Sequence, residues 1–194
     1  MSAPVPAAAV QAAVQAARAH LRMAGTGEEA VLAELARAAF GLGEAFTGAP
    51  LIARACEEMV PAAGAWAALR WEPVAAITGL TATPAGSAPF VPPVEAYAVD
   101  IDEGGRGWVR VASSIGAGRV AVSYRAGLAE DWDGLPAAIR HGVTLLTAHL
   151  FEDRAAKAAP PAAVAALWRP YRRVRLANPA KCHFAGTPDL RRRA

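Results

Sequence analysis

The chain has 194 residues, 54% of them hydrophobic, which is enough for one domain with a modest, alanine-diluted core plus appendages. Gln, Arg or Glu interrupts every Ala-rich run, so no stretch reaches the roughly 18 consecutive apolar residues of a membrane span, while two cysteines (Cys56 and Cys182) and no Cys/His zinc spacing argue against a disulfide framework or a zinc module and suit a reducing compartment. The net charge of +3 hides an asymmetry: residues 169–194 hold eight Lys/Arg against Asp189, a net of +7, which leaves −4 on residues 1–168.

Met1 to Ala17 superficially resembles a signal sequence, but the first positive charge, Arg18, follows the apolar part instead of preceding it, so the segment reads as mature protein. Residues 7–22 place Val10, Val14, Ala17 and Leu21 at spacings of four, three and four, one apolar stripe on a helix. After a break at Gly25, Thr26-Gly27-Glu28-Glu29 reads as a capping box, with the Thr26 oxygen accepting from the Glu29 amide. The second helix then runs to about residue 47 with Leu32, Leu35, Ala39, Leu42 and Phe46 as its stripe, and Gly48 is placed to end it in the left-handed conformation. Gly41 and Gly43 each weaken that helix by roughly 1 kcal/mol relative to Ala, which predicts a close helix contact there. Without a preceding strand and a phosphate loop, this GxG makes no nucleotide site.

From Pro50 to Leu128 the period changes to two. Tyr97, Val99 and Ile101 alternate with Ala98, Asp100 and Asp102, and Val120, Val122 and Tyr124 alternate with Arg119, Ala121, Ser123 and Arg125, the pattern of half-buried strands. Glu103-Gly104-Gly105 and Gly116-Ala117-Gly118 supply turns, predicting a three-stranded antiparallel meander over residues 95–125. Leu51 to Met59 and Trp66 to Leu80 are predicted as further strands, and Thr83 to Pro93 as a loop. Helical spacing returns over residues 136–157: Pro136 suits a first helical position, Asp131 and Asp133 lie upstream, and Ile139, Val143, Leu146 and Leu150 form a stripe. Pro161 to Tyr171 adds Val164, Leu167 and Trp168, and after Tyr171 no core-forming pattern survives. The fold class is α+β: a small helical bundle (an N-terminal helix pair plus a later helix) with an antiparallel β insertion at about 50–128, making a connector-sized domain over 1–168, followed by an extended basic C-terminal arm over 169–194.

Candidate chemistry is sparse. His149 and Asp153 are four apart on one helix, with His141 eight before His149, a spacing compatible with an imidazole–carboxylate pair or half a metal site. With no second ligand motif, a packed structural histidine is the better reading. Asp100-Ile101-Asp102 puts two carboxylates on one strand face, and Asp131-Trp132-Asp133-Gly134 looks like the start of a calcium loop whose twelfth position, Gly142, has no ligating side chain. No nucleophile elbow and no GxxxxGK loop occur, and Cys182-His183 falls in the basic arm. The reading is of a non-enzyme with no catalytic residue, metal or cofactor.

Two stretches resemble the head-tail connector (adaptor) proteins of long-tailed double-stranded DNA phages and gene transfer agents. One is Ala19-His20-Leu21-Arg22 with Glu28-Glu29, Leu32, Leu35, Ala38-Ala39, Glu44, Thr47-Gly48 and Leu51-Ile52; the other runs from Leu135-Pro136-Ala137-Ala138-Ile139 to Ala148-His149-Leu150-Phe151-Glu152-Asp153-Arg154. Between them, Pro73-Val74, Ile77 and Tyr124-Arg125-Ala126-Gly127 fit the family's strand landmarks. The resemblance covers about half the chain and rests on order and spacing. It implies a ring, usually of twelve copies, between the portal at the capsid vertex and a downstream neck, stopper or tail-terminator protein. The ring would continue the channel through which DNA passes without sequence-specific contact, in a particle assembled in the bacterial cytoplasm and without any membrane association. It also implies that the C-terminal segment docks on the portal, which makes Arg169, Tyr171, Arg172, Arg173, Arg175, Lys181, Phe184, Leu190, Arg191, Arg192 and Arg193 the docking candidates, and His20, Glu44, His149, Glu152 and Arg154 scaffold or subunit contacts. The chain departs from the family at Met23-Ala24, where an acidic residue is common, and in its Pro-rich loop over 83–93. Two rival readings follow from the same residues. A nucleic-acid-binding protein would use the basic arm on phosphates, although such proteins also carry basic residues on the folded body; a small hydrolase would use His149 and Asp153.

Overall fold

The structure is a computed structural model that describes residues 2–25, 27–153 and 161–173. It contains four helices, α1 (Ala7–Leu21), α2 (Glu29–Thr47), α3 (Ala137–Glu152) and α4 (Ala162–Trp168). Six strands lie between α2 and α3: β1 (Arg54–Pro61), β2 (Trp66–Ala68), β3 (Val74–Ala82), β4 (Tyr97–Ile101), β5 (Gly107–Val111) and β6 (Arg119–Ala126). The α+β reading, with a β insertion inside a helical bundle, is borne out.

Two cores result. The helical one joins Val10, Val14, Leu32, Phe40, Ile139, Val143, Leu146 and Trp168; the β one joins Cys56, Leu80, Val109, Val111, Val120, Val122 and Tyr124. The α1 stripe is as expected, with Val10, Val14 and Ala17 buried and the helix ended by Arg22 in the left-handed region at φ 53°. In α2 the buried face is rotated from the predicted one: Leu32, Ala36, Ala39, Phe40, Gly43 and Thr47 face inward, while Leu42 is 47% exposed. The predicted stripe followed the large aliphatic residues, but the face packed against α1 and α3 is the one carrying Phe40 with Ala36, Ala39 and Gly43, leaving Leu35 and Phe46 only half-buried. The expected capping box rests on Thr26, which lies outside the described residues. Helix α2 begins at Glu29 with Glu28 as its cap, and the Glu29 carboxylate accepts from Arg18, tying the two helices across their turn. Gly48 ends α2 at φ 75°, its N–H donating to the Glu44 carbonyl.

The predicted meander is replaced by two three-stranded antiparallel sheets, ordered β1-β6-β3 and β2-β5-β4. The β4–β5 hairpin forms as expected around Gly105 at φ 76°, but β6 leaves it and becomes the central strand of the other sheet, between β1 and β3. The stretch from Trp66 to Leu80 is not one strand but two, in different sheets, broken at Trp71-Glu72-Pro73 where a prolyl nitrogen cannot continue a ladder. Alternation alone gives each strand's buried side and says nothing of which strands pair. Gly127 permits the chain crossing that joins the two cores, since a Cβ there would lie 2.3 Å from the Ala53 backbone. Pro136 is the cap of α3 and Ala137 its first residue, and α3 ends at Glu152; the predicted continuation over 154–157 lies outside the described residues.

Candidate assembly surface

The junction between the two cores is held by charge. Arg54, at the start of β1, reaches back to α2 and donates from both terminal nitrogens to Glu44, at 2.5 and 2.6 Å, while its Nε donates to Ser2 Oγ at 2.7 Å. The Arg54 side chain is 8% exposed and that of Glu44 14%, and Glu44 also accepts the Leu51 amide at 3.0 Å. A bidentate pair with this much burial fixes an angle as well as a distance, because the guanidinium fork matches a carboxylate in one plane only. Glu44, expected as a scaffold or subunit contact, thus sits inside the fold, bracing helix to sheet.

A second anchor lies where the chain leaves α4. Trp168 is 3% exposed and lies between two glycines: a Cβ on Gly142 of α3 would fall 2.1 Å from its Nε1, and one on Gly43 of α2 would fall 3.3 Å from its Cη2. The close contact expected at Gly43 is therefore present, although its partner is the Trp168 ring, whereas Gly41 faces open space. Arg169–Tyr171 continues as a turn of 3₁₀ helix; Tyr171 packs half-buried on the helical core, and Arg172 lies over the Phe46 ring at 5.8 Å. Arg173 donates its amide to the Thr47 carbonyl at 2.7 Å, and its guanidinium lies 3.5 Å from Glu72.

Glu72 collects two cations. Its side chain is 6% exposed and accepts from Arg106 Nε at 2.9 Å on one oxygen while Arg173 approaches the other. Beside it, Asp102 accepts from the Trp108 indole at 3.0 Å and from the Arg106 amide at 2.9 Å. These bonds, the indole's foremost, hold the Asp102 carboxyl below the usual carboxylate range. Across the β core, the Tyr124 hydroxyl donates to Glu58 at 3.0 Å and accepts the Trp71 amide at 3.2 Å, and burial with the nearby Glu58 charge pushes its phenol far up.

The other expected site residues scatter. His20 is exposed at the end of α1, His149 is half-buried and lends its carbonyl to the Asp153 amide at the end of α3, and Glu152 is exposed. Arg169 is exposed on the root turn. Arg154, Arg175, Lys181, Phe184, Leu190, Arg191, Arg192 and Arg193 lie outside the described residues. Asp131 and Asp133, read as a loop start, serve the entry to α3: Asp131 accepts the Gly134 amide at 2.8 Å and Asp133 lies 3.6 Å from Arg140. Among the described residues no group of three or more His, Cys, Asp or Glu is placed to hold a metal ion, and no helix is long and apolar enough to cross a membrane.

The surface carries apolar residues that the core does not absorb. Val91 and Val94 are each 73% exposed, and Phe90, Val99 and Ile101 join them on the loop and edge strand leading through β4; Val31 and Leu42 are exposed on α2. Sequence reading placed Val99 and Ile101 on a buried face, and missed Glu72 and Arg106 altogether.

Three solved assemblies contain chains of this shape. The protein is similar to a chain in the neck of an empty gene transfer agent particle computed with C6 symmetry, at TM-score 0.72 and 28% identity over 91% of this chain and 97% of that one. The chain is similar in fold and sequence to chains of gene transfer agent necks. A chain from the neck of a native particle computed with C12 symmetry matches at TM-score 0.67 and 29% identity, and one from the virion of a native particle at 0.68 and 28%, both with the same coverage. The resemblance to head-tail connectors drawn from the sequence is thereby borne out, and it extends from half the chain to nine-tenths of it. No family model matches the sequence, and no curated protein matches it.

Proposed function

We propose that the protein is a structural head-tail connector: copies form a ring in the neck of a gene transfer agent particle, between the portal and the tail-side neck proteins, around the DNA channel. The observation that carries this is the match over 91% of the chain to components of ring-symmetric necks at 28–29% identity. The internal economy of charge supports it. Arg18, Arg37, Arg54, Arg106, Arg125 and Arg140 each face a carboxylate within the same chain, which argues against their forming a phosphate-tracking surface. The role is structural, with no reaction and no cofactor.

Portal docking belongs to the residues beyond Arg173. Arg175, Lys181 and Arg191 to Arg193 supply cations for portal carboxylates, with Phe184 and Leu190 as apolar anchors. Arg169, Tyr171, Arg172 and Arg173 hold the root of that segment on the body. The test mixes the full chain with its portal and images the product by electron microscopy. A coaxial ring on the portal is expected, and a chain ending at Arg173 is expected to keep its melting temperature and lose portal binding. Absence of the protein from the necks of particles that contain the portal would refute the assignment.

A further inference from the structure

A closed ring of identical subunits uses a heterologous contact, in which one patch of each copy meets a different patch of the next. Apart from Met59, the exposed large hydrophobic residues among those described form two groups: Phe90, Val91, Val94, Val99 and Ile101 on one side, Val31 and Leu42 on the other. The first group rides on β4, an edge strand of its sheet, and the loop before it. A flat apolar edge left bare is an aggregation hazard that soluble proteins avoid unless something covers it. Of the second group, Leu42 borders a groove of about 160 Å³ between α2 and α4, lined also by Phe46, Leu146, Val164, Ala165 and Trp168. Ligand pockets usually run to about 300–1,000 Å³, so the groove has the scale of a socket for side chains.

We infer that these two patches meet in the ring: the apolar segment around Val94 and Val99 of one copy seats in the Leu42–Phe46 groove of its neighbour. This rests on the ring reading above and adds its faces. Charge supports the pairing, since the exposed Glu95 lies next to Val94 in the apolar segment while Arg172 stands over the Phe46 wall of the groove. Like-charge juxtaposition in the reverse registers would disfavour self-pairing of either patch, which directs the contact head to tail.

The probe is a photo-cross-linking amino acid, p-benzoyl-phenylalanine, placed at Val94 in the full chain and activated in assembled particles, with peptides identified by mass spectrometry. Mixed isotopically light and heavy copies separate links between copies from links within one. Expected are links between copies to peptides carrying residues 42–46 or 161–169. Links within one chain, to another protein, or to a different face of the neighbour would overturn the contact, as would no link at all. A second measurement uses charge: Glu95→Arg is expected to lower incorporation into particles by about tenfold, the scale of a close interfacial charge pair. Adding Arg172→Glu should restore it, with both variants melting like the parent; failure of the swap to restore incorporation overturns the pairing. If electron microscopy still finds the Val94 variant in the neck while links fall elsewhere, only this inference fails. If the unmodified chain is missing from necks, the connector assignment fails first.

Discussion

Gly142→Ala tests the idea that Trp168 pins the root of the C-terminal segment. A methyl at residue 142 would sit 2.1 Å from Trp168 Nε1 and 2.7 Å from Cε2, where ordinary contact needs about 3.5 Å, so the ring must retreat by about 1.4 Å. The ring also lies close to Gly43, where an added Cβ would fall 3.3 Å from Cη2, so retreat in that direction has only the space that the missing side chain leaves. The chain must either overpack, at about 1–3 kcal/mol, or expel the indole, at about the 3–5 kcal/mol typical of losing a buried Trp. A loss of about 3 kcal/mol lowers Tm by about 6–12 °C in a domain of this size. Thermal unfolding followed by circular dichroism reads the effect, and Trp fluorescence reports the indole's exposure. The decisive comparison is Gly142→Ala in a Trp168→Ala background, where the clash is gone and Ala in a helix interior should stabilise by up to about 1 kcal/mol. Equal destabilisation in both backgrounds would refute the wedge, as would an unchanged Tm in the parent.

Three further outcomes are expected. Glu44→Ala strands the buried Arg54 guanidinium and should lower stability in a chemical denaturation titration by about 3–5 kcal/mol, with Glu44→Gln losing less because it retains an acceptor. Glu72→Gln removes the charge that Arg106 and Arg173 share and should lower stability by about 1–3 kcal/mol, discounted because both arginines are about 30% exposed; trypsin should then cut faster after Arg173. Asp102 is held below its unfolded value of about 3.9, so its contribution is fully present above that value and is lost as pH falls through the lower folded value. Asp102→Asn should therefore flatten the acid limb of Tm against pH below about pH 4, and a parallel limb in both proteins would contradict the assignment.

Local periodicity showed much of this fold and hid the rest for a physical reason. The α1 stripe, the β4–β5 hairpin and the buried side of β6 follow from spacing because each concerns neighbours within a turn or a pleat. The sheet exchange of β6 does not, since its partners on β1 and β3 lie about 40 to 70 positions away and pair through backbone groups that every residue carries. In α2 the reading followed the leucines, while the buried face also takes Ala36, Phe40 and Gly43, so Leu42, expected inside, faces solvent in the fold. Glu44 was singled out as a scaffold or subunit contact, and the fold gives it an internal pairing with Arg54, whereas Glu72 stood unnoticed in a linker because its cations, Arg106 and Arg173, are brought to it only by the tertiary fold. Gly43 was the legible trace of Trp168, since a glycine that weakens a helix predicted a close contact there, whereas Gly142 was read only as a position without a ligating side chain.

The placement of Arg173 has a mechanical corollary. Because its amide is bound to the end of α2 and its guanidinium to Glu72 beside the β4–β5 turn, tension on the following residues enters the molecule at the seam between its helical and sheet halves. Such a force would be divided between both halves as shear, instead of unzipping the two-turn α4 from one end.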